Sequence, residues 1–211
     1  MIAPNPVMEK AFASALAAIP NRKKSTARAA LVNLEEPATT ILVDCFRQFG
    51  IETVLMAGEA AERLHREKFE ACVLKLGPGA EAVMESSRTS PSNSRMVIYG
   101  LGGSAQEAMR YSKYGINAVF HEPLERSAAL KLVRATQMLV LHEFRRYVRI
   151  PVMTEVSIVP KSGRRFSATS LEVSSGGMSI KSTEDLGTGH TVEVSFALLT
   201  LPRIWVRGTV T

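Results

Sequence analysis

Cysteine, tryptophan and long apolar runs are all scarce in this sequence of 211 residues. The two cysteines, Cys45 and Cys72, stand inside short apolar segments, where a free cysteine behaves as a small hydrophobic residue. They argue against a disulfide framework, and the four histidines are scattered without metal-ligand spacing. No apolar run reaches the ~18–20 residues that a membrane-spanning helix needs. We therefore expect a cytoplasmic protein with no membrane span, no metal and no cofactor.

Composition favours a folded, soluble chain. Hydrophobic residues make up 45% of the sequence and charged residues 22%, which allows one large or two small domains, each with a real core. The formal net charge of +6 fits an anionic partner, but it fits a solvated basic surface equally well. Neither a helix-turn-helix pattern nor a basic recognition helix is present, which argues against nucleic-acid binding.

Short apolar runs alternate with helical segments over residues 28–140, after an N-terminal extension of residues 1–27. Continuous apolar strands between helices indicate a parallel sheet covered on both faces. Five such units predict a flavodoxin-like, doubly wound (βα)5 fold. The predicted strands are 29–32, 52–56, 71–76, 96–99 and 118–120, and the predicted helices are 38–49, 59–68, 80–88, 106–114 and 124–146.

This layout resembles the receiver domain of response regulators, and the run from Gly115 to Pro123 is similar to the fifth receiver strand and its following proline. The resemblance implies an aspartate at the end of the third strand and a lysine before that proline. Here the third strand ends with the run from Leu74 to Pro78, which offers no carboxylate as nucleophile and has Lys75 near the aspartate position. Glu122 takes the lysine position. The sequence thus predicts a pseudo-receiver that lacks the phosphoacceptor aspartate.

The charges at these strand ends have two interpretations. In the first, Lys75 is neutralised by Glu35 or Glu36 and by Glu122 at one edge of the sheet. In the second, they are unrelated surface charges on separate loops. The sequence alone does not decide between them.

Three arginines, Arg145, Arg146 and Arg149, fall within five residues. Guanidinium groups bind phosphate bidentately, stack on aromatic planes and read the O6/N7 edge of guanine, so the cluster indicates anion or guanine-nucleotide recognition. A basic helix end is the alternative, because cations complement the dipole at a helix C-terminus.

From residue 150 the apolar residues recur at every second position, with Gly/Pro turns between the runs, which predicts an antiparallel β-barrel. Glu172 to Gly177 contains one of those turns.

Arg145 and Arg149, spaced as R-x-x-x-R, and Ser174 with Gly177, the last two fixed members of [D/N]-x-S-x-x-G, resemble the motif pair of PilZ domains. The resemblance covers residues 141–211 and implies a small β-barrel that binds the bacterial second messenger cyclic di-GMP. PilZ domains generally continue with a further strand, so we expect the barrel to be incomplete at its C-terminal end. Glu172 departs from the family pattern, which has Asp or Asn there. The ligand-binding residues implied are Arg145, Arg146, Arg149, Glu172, Ser174 and Gly177.

The hypothesis drawn from the sequence is a non-enzymatic signalling protein that binds cyclic di-GMP and relays binding to an unidentified downstream protein by domain rearrangement. Arg145 and Arg149 would contact phosphates and guanine edges. Gly177 would permit close backbone approach or a positive φ. The alternative is a non-binding scaffold with two degenerate domains, which dimerises or docks a protein through the helix at residues 124–146.

Overall fold

The structure, a computed structural model, describes residues 26–103, 105–161, 163–198 and 202–211. Most of the predicted N-terminal extension, residues 1–25, lies outside the described residues. Within the described part of the chain, the residues up to Phe144 form one compact unit and the residues from Arg145 onward form a second.

The first unit alternates strands and helices, as the sequence predicts. Three predicted helices end earlier than expected, the first of them being the helix predicted at residues 38–49, which ends at Arg47. The helix predicted at residues 59–68 ends at Arg66, because Glu67 is extended (φ −98°, ψ 144°). The helix predicted at residues 106–114 ends at Arg110 and is followed by a separate 3-10 turn, Ser112–Tyr114. The strands are β1 (Arg28–Val32), β2 (Glu52–Met56), β3 (Ala71–Lys75), β4 (Val97–Leu101) and β5 (Ile116–Phe120), and the helices are α1 (Ala38–Arg47), α2 (Ala60–Arg66), α3 (Ala80–Thr89), α4 (Ala105–Arg110) and α5 (Arg126–Tyr147).

The five strands form a parallel sheet in the order β2-β1-β3-β4-β5. This order is that of flavodoxin-like doubly wound folds, so the predicted fold class is confirmed. Successive side chains of a strand point to opposite faces, and both faces of this sheet are covered. Ala29 and Leu31 of β1 pack in a core with Phe46 of α1 and Val133 of α5. The alternate residues of β1 pack in a second core with the helices α2 and α3.

The second unit is an antiparallel sheet, consistent with the predicted PilZ-like barrel. The order of neighbouring strands in the sheet is β11-β10-β7-β8-β6, and β9 also pairs with β8. Val156, Ile158, Val194 and Phe196 are buried in its core. The strands are β6 (Ile150–Pro151), β7 (Glu155–Pro160), β8 (Phe166–Ser174), β9 (Gly177–Lys181), β10 (Thr191–Phe196) and β11 (Ile204–Thr209).

Two local predictions in this unit differ from the structure. The strand predicted at residues 152–159 begins only at Glu155, as β7, because residues 152–154 belong to no strand. The short strand β6 lies before the predicted range, and of the two only β7 pairs with β10. The predicted turn at residues 174–177 is shorter than expected, because Ser174 and Gly177 pair with each other across the β8–β9 hairpin. Only Ser175 and Gly176 form the connection.

Candidate functional site

Sheet pairing brings the arginine cluster to the β8–β9 hairpin. Arg145 and Arg146 lie in the last turn of α5, and Arg149 directly precedes β6. Strand β6 pairs with β8 so that Ile150 lies opposite Val173 and Pro151 opposite Glu172. The two segments of the predicted site, some twenty residues apart in sequence, are therefore neighbours in one sheet.

Backbone contacts join the two segments more closely. The Ser175 N–H donates a hydrogen bond to the Arg145 carbonyl over 3.4 Å. A Cβ atom built on Gly176 would lie 3.9 Å from both the Nε and the carbonyl oxygen of Arg146. The end of α5 thus lies against the hairpin turn, and the backbone at Arg145 is held there. If this segment moves toward a bound ligand, the movement is accordingly one of the arginine side chains and not of the backbone.

A β-bulge sets which side chains of β8 face away from the core. The pairing register of β8 with β9 shifts between Ser170 and Glu172. Before the shift Ser170 is buried, and after it Val173 is buried in the core, although the two lie three residues apart. Because side chains alternate along a strand, Glu172 and Ser174 lie on the face opposite Val173. The bulge therefore places Glu172 and Ser174, two predicted ligand contacts, on the face opposite Val173.

Ser174 is buried, and its hydroxyl is engaged within the turn. It accepts a hydrogen bond from the Gly176 N–H at 3.2 Å and donates one to the Gly177 carbonyl at 3.3 Å. A serine that bonds its own backbone two residues later stabilises a tight turn. The hydroxyl of this residue therefore has a structural role, whatever it contributes to a ligand.

Gly177 does not have a positive φ, so only the first of its two predicted roles, close approach of a ligand to the backbone, stays open. It pairs with Ser174 as an ordinary strand residue. A Cβ built at this position would have no atom within 4 Å of it. The space over Gly177 is open, which is compatible with the other half of the expectation, close approach of a ligand to the backbone.

Ser175 and Gly176 connect the two strands of this hairpin, and the motif did not single them out. Ser175 supplies the N–H bond to Arg145, and its Oγ is buried with no hydrogen-bond partner among the described residues. Gly176 lies beside Arg146. The only sequence signal for either residue is that they separate Ser174 from Gly177.

A second cluster of charges lies at the carboxyl ends of the parallel strands. The Lys75 Nζ lies 3.9 Å from a carboxylate oxygen of Glu35 and 3.7 Å from one of Glu122. Glu36 takes a different role, because its carboxylate accepts the Thr40 N–H at 3.3 Å. Of the two interpretations of these charges, the distances favour ion pairing of Lys75 with Glu35 and Glu122.

The position of this cluster matters because doubly wound sheets bind their ligands at the carboxyl ends of the strands, beside the point where strand order reverses. Here that point lies between β1 and β3. Lys75 ends β3, and Glu35 follows β1. The carboxyl end of β3 thus carries a lysine that is paired with two carboxylates.

Cysteines, potential metal ligands and clefts outside these two clusters are the remaining candidates for a site in the described part of the chain. Both cysteines are buried and free, and burial raises the pKa of the Cys72 thiol to about 12. No group of three or more His, Cys, Asp or Glu residues there could hold a metal ion. A cleft of about 530 Å³ beside the start of β8 mixes Lys161 and Arg164 with Glu184 and Asp185, so its lining favours neither sign of charge. None of the helices described has the length and apolar character needed to cross a membrane.

Fold and site together define a flavodoxin-like unit followed by an antiparallel β unit that carries an arginine pair beside a Ser/Gly hairpin. Comparison with protein families identifies the second unit: residues 143–211 match the family model described as the PilZ domain, so this part of the chain is a PilZ domain. The match supports a role in cyclic di-GMP signalling in general. PilZ and receiver-like domains are generally regulatory and not enzymatic.

The structures similar to the N-terminal part are receiver domains. The receiver domain of a sensor histidine kinase from Pseudomonas aeruginosa is 19% identical, with a TM-score of 0.45 over 55% of this chain and 98% of that chain. Chemotaxis response regulator CheY4 of Vibrio cholerae is 14% identical, with a TM-score of 0.46 over 53% and 98%. A two-component response regulator from Clostridium difficile is 15% identical, with a TM-score of 0.45 over 56% and 98%. No curated protein matches the chain.

Proposed function

We propose that this protein is a cytoplasmic receptor that binds cyclic di-GMP through its PilZ domain and relays binding by rearranging its two units. The observation that carries the proposal is the pairing of β6 with β8, which sets the R-x-x-x-R segment beside the hairpin. The binding residues are those implied by the motif: Arg145, Arg146, Arg149, Glu172, Ser174 and Gly177.

The chemistry of these side chains suits a guanine dinucleotide. Arg145 and Arg149 can donate paired hydrogen bonds to phosphate oxygens or to the O6 and N7 atoms of guanine, and such pairs contribute about 1–3 kcal/mol each. Glu172 can accept from the N–H edge of a guanine. The open space over Gly177 admits a ligand group next to the backbone.

Helix α5 can transmit ligand binding from the PilZ domain to the receiver-like unit, because it contributes residues to both units. Arg145 lies in its last turn, whereas Val133 and Val140 are buried in the core of the receiver-like unit. A ligand that draws in the Arg145 and Arg149 side chains would act on the end of that helix. The downstream protein that would respond stays unidentified.

The proposal is tested by calorimetric titration with cyclic di-GMP, with GTP and cyclic di-AMP as competitor controls. We expect saturable, guanine-selective binding by the parent and its loss in Arg145→Ala and in Arg149→Ala. Arg164→Ala is the matched control, because Arg164 is exposed in the same unit but lies by the separate cleft. A folded parent that shows no saturable binding would refute the receptor function. Equal binding by Arg149→Ala would refute the proposed contact between Arg149 and the ligand.

The relay is tested separately by small-angle scattering with and without cyclic di-GMP. We expect the scattering profile of the parent to change on saturation and that of Arg145→Ala to stay constant. Saturable binding with an unchanged profile would leave the receptor assignment in place and overturn the rearrangement.

A second candidate function is a scaffold that pairs with a second copy or another protein through α5. The observation that favours it is the exposure of Met138 (55%) and Leu139 (48%) on that helix. If α5 mediates a homodimer, light scattering after gel filtration should give twice the mass of the chain, and Leu139→Glu should halve it. A monomeric parent would rule out the homodimer.

A further inference from the structure

The hairpin turn holds two adjacent serines whose hydroxyls differ sharply in their surroundings. The Ser174 hydroxyl has two partners within the turn, Gly176 N–H and the Gly177 carbonyl. The Ser175 Oγ is buried and has no hydrogen-bond partner among the described residues. A buried hydroxyl without a partner is unfavourable by roughly the strength of a hydrogen bond, and such groups are rare in folded proteins. The exception at Ser175 calls for a physical reason.

The chemistry around Ser175 indicates what kind of atom would satisfy it. Its N–H is bonded to the Arg145 carbonyl, so the residue is anchored at the end of α5. Arg146 lies at the neighbouring Gly176. Two arginine residues thus adjoin the turn that carries Ser175, and their positive charge favours an anionic ligand there. A hydrogen bond from a hydroxyl to an anionic oxygen is stronger than one between neutral groups.

A ligand group also has a way to approach. Gly176 and Gly177 follow Ser175, and neither carries a side chain. No atom lies within 4 Å of a Cβ built on Gly177. The Nε of Arg146 lies 3.9 Å from the Cβ position of Gly176, so an arginine side chain borders this approach. A phosphate that enters over the two glycines would lie next to the turn that carries the Ser175 hydroxyl.

We propose that Ser175 is a further ligand contact of the PilZ domain, whose hydroxyl donates a hydrogen bond to a phosphate oxygen of cyclic di-GMP. This assignment rests on the proposed receptor function. The two serines of the turn then have different roles, because Ser174 stabilises the hairpin and Ser175 contacts the ligand.

The test compares three serine-to-alanine variants with the parent by calorimetry with cyclic di-GMP and by thermal unfolding without it. Ser175→Ala should weaken binding about tenfold to a hundredfold, the range for one hydrogen bond to a charged group. Its unfolding temperature should stay the same or rise, because no internal hydrogen bond is lost. Ser174→Ala should lower the unfolding temperature. Ser157→Ala, on β7, removes another hydroxyl that is buried without a partner among the described residues, and it should leave the affinity unchanged.

Two further readouts sharpen the assignment. The phosphorus NMR shift of saturating cyclic di-GMP should differ between the complexes of the parent and of Ser175→Ala, as expected for a contact to phosphate. Ser175→Thr, which keeps the hydroxyl, should bind more tightly than Ser175→Ala.

The outcomes separate this inference from the function on which it rests. Binding by Ser175→Ala equal to that of the parent would overturn the assignment and leave the receptor function intact. A fall in unfolding temperature as large as that of Ser174→Ala would also overturn it, because the hydroxyl would then have an internal partner. An unchanged phosphorus shift despite weaker binding would overturn the phosphate contact. Absence of saturable binding by the folded parent would overturn the receptor function and this assignment together.

Discussion

Glu172 is the one member of the proposed site that departs from the family motif, and its surroundings allow the effect of that departure to be predicted. The residue pairs with Pro151 of β6 on one side and with Ser179 of β9 on the other. Strands on both sides hold its backbone, so the main chain cannot retreat to accommodate a longer side chain. The reach of the carboxylate is therefore set by the side chain alone.

Replacing Glu172 with Asp withdraws the carboxylate by about one C–C bond, ~1.5 Å. A displacement of ~1 Å can change the rate or equilibrium constant that depends on a directional contact by as much as ~100-fold. One hydrogen bond to a charged group contributes about 1.5–3 kcal/mol. We expect Glu172→Asp to bind cyclic di-GMP about tenfold more tightly than the parent. This is the lower end of the range, because a half-buried glutamate retains some freedom to adjust.

Two more variants separate reach from charge. Glu172→Gln keeps the length and removes the charge, which would relieve repulsion from the ligand phosphates. That repulsion amounts to about 0.5 kcal/mol at a separation of about 8 Å in water, or roughly a twofold change. Glu172→Asn changes both properties and should gain from each. The charge effect should shrink as salt is added, whereas the effect of reach should persist.

Titration calorimetry at low and high salt measures these affinities, with Glu193→Asp as the matched control. Glu193 is an exposed glutamate on β10 in the same unit, paired with Arg207 at 2.9 Å. Its shortening should leave the affinity unchanged. If Glu172→Asp binds no better than the parent, the longer side chain already makes a good contact, and the reasoning about reach is wrong.

Three other predictions concern the receiver-like unit. Asn93→Ala should lower the free energy of unfolding by about 3–5 kcal/mol in denaturant titrations, because its buried amide bonds the backbone at residues 64, 67 and 69; Asn117→Ala, which loses one such bond, should lower it far less. Lys75→Met should cost less than about 1 kcal/mol, and the loss should shrink at high salt, as for other half-exposed ion pairs; a loss independent of salt would contradict the pairing. Cys72 should resist thiol reagents at pH 8 until the unit unfolds, because its pKa of about 12 leaves almost no thiolate below that pH; labelling of the native protein at the rate of a free thiol would contradict its burial.

The fold of the first unit could be predicted from the sequence because its strands are apolar on both faces. Strand β3 is buried at every position except Lys75, and β4 is buried throughout. Such runs are stable only between two layers of helices, so the strand pattern nearly determines the architecture. The ends of helices were less predictable. Glu67 lies within a helical pattern but ends α2, and Gly115 closes a 3-10 turn with φ of +66°.

The proposed site was predictable as a set of residues, but its geometry was not. Spacing identifies Arg145, Arg149, Ser174 and Gly177, yet their proximity depends on pairing between β6 and β8 across some twenty residues. The bulge at Leu171 was also hidden, because the alternation along β8 is blurred by a buried serine at 170. A one-residue shift in register moves every later side chain to the other face, so this local feature decides which residues meet a ligand.

The two units differ in how their charged groups are balanced, and this difference favours the PilZ domain as the place where an anionic signal would enter. At the carboxyl edge of the parallel sheet one ammonium has two carboxylate neighbours, Glu35 and Glu122, so an added anion would meet net negative charge. The proposed site instead contains three arginines and a single glutamate, so an anion would be attracted. Because attraction between exposed charges weakens with salt, cyclic di-GMP binding by this chain should weaken as ionic strength rises.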